Sequence, residues 1–209
     1  MIVAVDGPAA AGKGTLARRL AAALGLPYLD TGLLYRAVAR RVIDAGGDPG
    51  DPLAAELAAR ALQVGDTQRD DLRGPPVDGG ASAVAAHPEV RAALLDFQRD
   101  FARAQGGVLD GRDIGTVIFP DAEVKFYVTA SPQARGRRRW LELQGRGVAA
   151  DLAAITEEVR LRDQNDAARA AAPMVAAEDA ILLDTTEMSA DAAFEAAMSA
   201  ISRHRHLRV

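Results

Sequence analysis

The chain has no cysteine among its 209 residues, so disulfides and thiolate metal sites are excluded. That absence fits a cytoplasmic protein and sets no further limit on compartment. Aromatic residues are scarce at 4%, and no apolar run approaches the roughly 20 residues that a membrane span needs. No membrane partner is therefore expected. The opening stretch, 1-MIVAVDGP-8, lacks a basic segment followed by an apolar core and a cleavage site; it reads as a buried strand, so export is not expected. Lysine is almost missing: of 25 basic residues only Lys13 and Lys125 are lysines. Where arginine fills the ordinary surface, a lysine stands out. A slim ammonium can follow a phosphate into a tight loop that a planar guanidinium does not enter. Lys13 is thus a functional candidate, while Lys125 reads as a plain strand residue. Net positive charge is lacking too: at -4 there is no basic field for nucleic acid, and DNA binding is disfavoured.

What is present is globular, with 49% hydrophobic and 26% charged residues. Short apolar runs alternate with longer helical segments, the pattern of a parallel sheet wrapped by helices, an α/β fold. Strands are predicted at 2–6, 107–110, 123–128 and 180–184, with a weaker one near 27–30. Helices are predicted at about 14–24, 32–45, 52–63, 131–145, 151–169 and 189–203. Residues 64–82 are rich in Gly, Pro and Asp and read as a loop or small irregular lobe. A helical stretch at 83–104 should break near Pro88. Residues 135–169 read as a helical hairpin able to close over a site, and the basic end, 203-RHRHLRV-209, is expected to fray.

The stretch 7-GPAAAGKGT-15 nearly fits G-x-x-x-x-G-K-[ST], except that Gly14 follows the lysine and the hydroxyl comes at Thr15. It follows a strand and opens a helix, the setting in which consecutive backbone N–H groups face a polyphosphate. Gly7, Ala10, Ala11, Gly12, Lys13, Gly14 and Thr15 are the nucleotide-binding candidates, with Thr15 offered to a metal ion. Arginines supply the second half of the pattern. Arg36 follows Thr31, a candidate helix cap, and Arg112 and Asp113 follow a predicted strand, where an open parallel sheet places its ligands. Arg162, Asp166 and Arg169 are spaced to share a helix face, as are Arg135, Arg138 and Arg139. Alone, each set would be a solvated surface with internal ion pairs. Beside a phosphate loop they point to two phosphorylated substrates, because each Arg–phosphate bond contributes about 1.5 to 3 kcal/mol and screens anion repulsion. An acceptor phosphate, with a second pKa of about 6, is already largely ionised and needs no catalytic base. Catalysis then reduces to alignment, charge neutralisation and exclusion of water, with Lys13, Arg112, Arg138 and Arg162 as the charge-neutralising candidates.

Taken together, GPAAAGKGT, DTGLLYR, ASAVAAHPEVR, DGRDIGTVIFPDAEVKFYVTAS and 162-RDQNDAAR-169 resemble the bacterial cytidylate kinases, in order and through most of the chain. The phosphate loop alone matches the wider nucleoside monophosphate kinases, in which G-K-G-T is the usual form; DGRDIGTVIFPDA and RDxxDxxR are the specific parts. The resemblance implies a P-loop α/β core at about 1–30 and 105–209, an acceptor-nucleotide lobe at 31–104 and a lid near 140–170. It implies ATP as phosphoryl donor, Mg²⁺ as cofactor, CMP or dCMP as acceptor and a monomeric enzyme. By the same resemblance Thr31, Tyr35, Arg36, Arg112 and Arg169 meet the monophosphate, Ser82, Arg91 and Asp113 hold cytosine, and Arg162 and Asp166 lie near the ribose. Cytosine suits that set, since Asp113 can accept from its amine while Arg91 donates to its carbonyl side.

The sequence also departs from the family. The stretch between Leu62 and Ser82 is shorter than in better-known members, and GPPVDGG replaces a small sheet with further polar contacts. Asn165, Ala167 and Ala168 make the RDxxDxxR segment less charged. A UMP or AMP kinase is the nearest alternative reading. A guanine-specific switch lacks the N-K-x-D motif it would need, and a kinase of a small alcohol does not account for the arginines.

Overall fold

The computed structural model describes residues 1–206. It contains a five-stranded sheet in the order β2-β3-β1-β4-β5, formed by β1 (Ile2–Asp6), β2 (Tyr28–Asp30), β3 (Gly107–Gly111), β4 (Val124–Thr129) and β5 (Ile181–Asp184). The central position of β1 follows from its composition: Val3, Ala4 and Val5 are fully buried, as an inner strand covered on both faces demands. It pairs in parallel with β3, Ile2 opposite Gly107 and Asp6 opposite Gly111, and with β4, Val3 opposite Val124. Strand β4 in turn pairs in parallel with β5. This register brings Asp6, Gly111 and Tyr127 level at the carboxyl ends of three strands, where such a sheet presents its site.

By contacts the chain divides into two compact units, Met1–Tyr28 with the chain from Gln105 onward, and Leu29–Ala104. In the first, α1 (Lys13–Leu24) buries Leu16, Ala17, Leu20 and Ala21, one stripe of a helix. They pack with Val3, Val5, Phe126 and Val128 of the sheet and with Ala197 and Ile201 of α8 (Ala190–His206). Gly25, at φ 64°, ends α1 and lets the Leu26 N–H donate to Ala21 O at 2.9 Å. Later in this unit, α6 (Pro132–Gly145) and α7 (Leu152–Ala167) form the expected hairpin. Gly136 makes their close approach possible, since a Cβ there would lie 2.3 Å from Thr156 Oγ1. Helix α8 continues to His206, beyond the predicted end at 203; the rest of the basic end, 207–209, lies outside the described residues. Among the described residues no helix is long and apolar enough to cross a membrane.

The second unit holds α2 (Thr31–Asp44), α3 (Pro52–Arg60), α4 (Pro75–Val84) and α5 (Pro88–Arg103) around Leu34, Val38, Ala55, Val84, Val90 and Leu94. Here the structure corrects the reading of 64–82 as a loop: a 3-10 turn covers Val64–Gln68, and α4 covers most of the remainder. The glycine and proline content misleads because of position. Two prolines at the first helical positions lose no hydrogen bond, and Gly74 at φ 144° supplies the entry. Gly80 lets α4 lie close on α2, since a Cβ at 80 would sit 3.1 Å from both Ala39 Cβ and Pro49 Cγ. The intervening loop is tied by Arg41 to Asp66 at 2.9 Å and by Arg69 to Asp44 and Asp71, each at 2.7 Å. The break at Pro88 occurs as predicted, between α4 and α5.

The close α2–α4 contact carries a direct consequence. Gly80→Val should lower the unfolding free energy by about 1–3 kcal/mol through overpacking, measured by urea denaturation. A variant as stable as the parent would show that the two helices do not lie this close.

Candidate active site

Where β1 ends, the chain has to turn away beneath β4. A Cβ at Gly7, φ 139°, would lie 2.0 Å from Val128 O, so only glycine fits. The loop closes at Gly12, φ 93°, which caps α1 without a side chain, and the first turn of α1 holds no acidic residue. Its N–H groups and positive dipole end are thereby left to an anion. Lys13 is 6% exposed, and its Nζ donates to Pro8 O at 2.8 Å, which curls the ammonium back over the loop. Gly14 is explained by its neighbours: a Cβ would lie 3.3 Å from Asp110 Oδ2 and 3.5 Å from Tyr28 Oη. Those two groups share a 2.6 Å hydrogen bond. The hydroxyl residue therefore comes one place later, as Thr15, which is exposed.

Thr15 faces a cavity of about 200 Å³ that is also lined by Gly12, Arg138, Thr185, Met188 and Ala193. Arg138 donates from Nη1 to Thr185 Oγ1 at 3.0 Å and from Nη2 to Thr185 O. The Thr185 hydroxyl lies 2.9 Å from Ala11 O and 3.1 Å from Thr129 O, so it can donate to either. It links Arg138 to the phosphate loop. Arg135, 3% exposed, binds Ala130 O, Ala9 O and the Asp163 carboxylate, the last at 3.0 Å from Nη1. Arg139 instead turns to Glu142. The expected shared face of Arg135, Arg138 and Arg139 thus divides: two serve this region and the third forms a surface ion pair.

After β3, Asp113 is 5% exposed and precedes a π-type turn, Ile114–Ile118. Asp6 fixes that turn, with Oδ1 accepting from Ile114 N at 2.8 Å and Oδ2 from Gly115 N at 2.7 Å. Burial pushes the Asp6 carboxyl from 3.8 up to about 6, against the opposing pull of the two backbone donors and Lys13; the Asp113 charge adds to the rise. A second buried carboxylate collects the arginines. Asp166 accepts from Arg112 Nε at 2.9 Å and from Arg169 Nη2. Burial works to raise the Asp166 carboxyl, yet the positive charges of Arg112, Arg169 and Arg162 hold it below the ordinary carboxylate range. Arg169 reaches Asp166 from beyond the end of α7 at Ala167, so the predicted three-residue helix face is completed by a residue outside the helix. Lys125 is structural, bonded to Pro120 O and to Asp179 at 2.8 Å.

The second unit carries its own polar cluster at the start of α2. Asp30 holds the helix-cap position without a side-chain cap bond, and Thr31 is the first helical residue, 4% exposed. The expectation that Thr31 caps the helix is therefore corrected by one residue. Arg36 donates to Asp78 Oδ1 from Nε at 3.1 Å and Nη2 at 2.7 Å. Ser82 Oγ lies 3.4 Å from Asp78 O, one turn along α4. The Arg91 guanidinium sits 5.6 Å from the centre of the Tyr35 ring, with Nη1 donating to Ala85 O at 3.3 Å.

Sequence reasoning missed Asp6, Asp78 and Thr185 as members of these clusters, and grouped Arg135 with its neighbouring arginines without finding its partner Asp163. Asp6 could have been found as a charge ending a central apolar strand. Thr185 carries no local signal.

A phosphate loop opening on a cavity, at the strand ends of a parallel sheet and with arginines gathered on a buried carboxylate, defines a P-loop nucleotide kinase. Comparison with known proteins makes the family specific. Residues 3–203 match the family model described as cytidylate kinase. The cytidylate kinase of Granulibacter bethesdensis is 63% identical over 203 residues, covering 97% of each chain. That of Acidiphilium cryptum is 60% identical, covering 97% of this chain and 96% of its own. A solved structure of an uncharacterized protein from Eubacterium ventriosum shares the fold at TM-score 0.57, with 13% identity over 97% of this chain and 98% of its own. The chain belongs to the cytidylate kinase family.

The Asp6 carboxyl makes stability depend on pH with a definite sign. Its folded-state pKa lies above the unfolded one, so its favourable contribution is complete below about 4 and is lost as pH rises through about 6. Measured against Asp6→Asn, which does not titrate, the parent's unfolding free energy should fall by about 2 kcal/mol between pH 4 and pH 7. A difference that stays flat with pH would show that Asp6 ionises like an exposed aspartate.

Proposed function

We propose that the chain transfers the γ-phosphoryl group of ATP to CMP or dCMP, giving ADP and CDP or dCDP, as a cytoplasmic monomer using Mg²⁺. The observation that carries this reading is Asp166 with Arg112 and Arg169 drawn onto it, in a chain that also has the phosphate loop. Guanidinium groups paired to one buried carboxylate are preorganised for a phosphate, and the acceptor phosphate arrives already ionised. A phosphate oxygen of CMP attacks the γ-phosphorus, the bond to the bridging oxygen breaks, and ADP leaves with its electron pair. No protein base has to take a proton.

In this assignment the loop from Gly7 to Thr15, Ala10 and Ala11 included, binds the donor phosphates. Lys13 and Arg138 offset the negative charge that builds on the transferred group. Arg112, Arg162 and Arg169 serve phosphate, with Arg162 and Asp166 toward the ribose and Asp113 toward the cytosine amine. In the second unit Thr31, Tyr35 and Arg36 serve the acceptor phosphate, and Ser82 and Arg91 serve the base. The residues present suit Mg²⁺. Among the described residues no cluster of three or more carboxylates or histidines could cage a metal ion. Mg²⁺ commonly takes one or two protein oxygens and completes its shell with phosphates and water. The exposed Thr15 hydroxyl at the cavity would be such a ligand. When bound, the ion supplies charge neutralisation at the donor phosphates.

A steady-state comparison of CMP, dCMP, UMP and AMP as acceptors tests the reading. Uracil reverses the donor and acceptor pattern that Asp113 meets, and one such mismatch costs about 1–3 kcal/mol. CMP and dCMP should thus exceed UMP in kcat/KM by about 5- to 150-fold, and a preference for AMP would overturn the assignment. Variants separate the donor and acceptor roles: Arg112→Ala should raise the acceptor KM strongly with ATP binding largely kept, and Lys13→Ala should do the reverse. Thr15→Val should impair Mg²⁺-dependent turnover while leaving the unfolding midpoint close to the parent's.

A further inference from the structure

Asp78 is not accounted for by the assignment above, although it pairs with Arg36 at 2.7 Å in the second unit's cluster. Its Oδ1 takes both the Nε and the Nη2 donors of Arg36, and the two side chains are only 9% and 14% exposed. Asp78 lies in the first turn of α4, on a segment that enters through Gly74 and two prolines. The opposite edge of the same guanidinium faces the start of α2. A Cβ on Gly32 would lie 3.4 Å from Arg36 Nη1 and 3.0 Å from Oδ1 of Asp30, the residue at the N-cap of this 14-residue helix. Arg36 therefore stretches between the start of α2, where Asp30 stands, and Asp78, the anion that it binds directly.

We infer that Asp78 is a built-in stand-in for the acceptor phosphate, a residue that holds Arg36 in the absence of substrate and sets the affinity for the monophosphate. The inference rests on the reading of Arg36 as a ligand of that phosphate. An ionised carboxylate on the guanidinium cancels its charge, and an arriving phosphate has to share Arg36 with Asp78 or displace it. Either way the anion binds more weakly than it would to an uncompensated arginine. The gain in exchange is that Arg36 is held extended and partly buried without leaving its charge unpaired. A charge placed only to favour the start of α4 would also pair with the helix dipole, but its removal would loosen the helix and weaken acceptor binding. The two roles predict opposite signs.

The test is the acceptor KM of Asp78→Asn, which keeps the shape and loses the charge, with Asp78→Ala as a second variant. Each should lower the KM for CMP by about tenfold, equal to about 1.4 kcal/mol, with no matching change in the KM for ATP. An unchanged or raised KM for CMP in both would overturn the inference. Arg36→Ala, measured in parallel, separates the two levels. If it raises the KM for CMP while the Asp78 variants fail to lower it, the stand-in is wrong and the ligand reading of Arg36 survives. If Arg36→Ala leaves the KM for CMP unchanged, the ligand reading itself is wrong and the inference falls with it.

Discussion

Repulsion between guanidinium groups is the constraint around which this protein is arranged. A phosphate-handling chain must hold several arginines with their charges directed at an anion that is absent for part of every cycle. Buried and half-buried carboxylates answer that requirement. Asp166, 2% exposed at its side chain, gathers Arg112 and Arg169; Asp163 receives Arg135; Asp78 receives Arg36. Each pairing fixes one guanidinium edge and leaves the planar group oriented, which lowers the ordering cost when a phosphate is bound. The loop 7–15 is arranged differently. Its lysine curls back onto Pro8 O, and the helix dipole supplies the rest of the positive field.

The carboxylates also connect chemistry to the sheet. Asp6 belongs to the central strand, so it is held as rigidly as the core, and through Ile114 and Gly115 it fixes the turn that follows Arg112 and Asp113. The glycines serve the same end. Gly7 admits the loop beneath Val128 O, Gly14 leaves room for the Asp110–Tyr28 pair, and Gly80 seats the helix that carries Asp78 and Ser82.

Much of this could be read from the chain because it is locally encoded. The loop 7–15, the strands and the main helices are written in consecutive residues, and their bounds fell within a few positions of those observed. Two kinds of feature were not local. Asp6 and Ile114, or Arg138 and Thr185, meet only when the parallel sheet brings distant strand ends level, and a threonine following a strand gives no sign of its partner. Residues 75–84 were misread because composition was weighed over position. Prolines and glycines that argue against a helix in its interior favour one at its entry, and the burial of Val77, Ala81 and Val84 decided the outcome. The arginines were recognisable as a set, and Asp166 with them through its spacing from Arg162 and Arg169; Asp78 and Asp163 were not, because acidic residues scattered among 29 offer no contrast.

The central claim is that arginines held on internal carboxylates bind the phosphate of the acceptor. The most direct measurement is calorimetric titration of CMP and of cytidine at two salt concentrations. Two charge-assisted bonds at about 1.5 kcal/mol each predict that CMP binds at least about 100-fold more tightly than cytidine, and that the ratio shrinks as salt rises. Equal affinities for the nucleotide and the nucleoside would contradict the account.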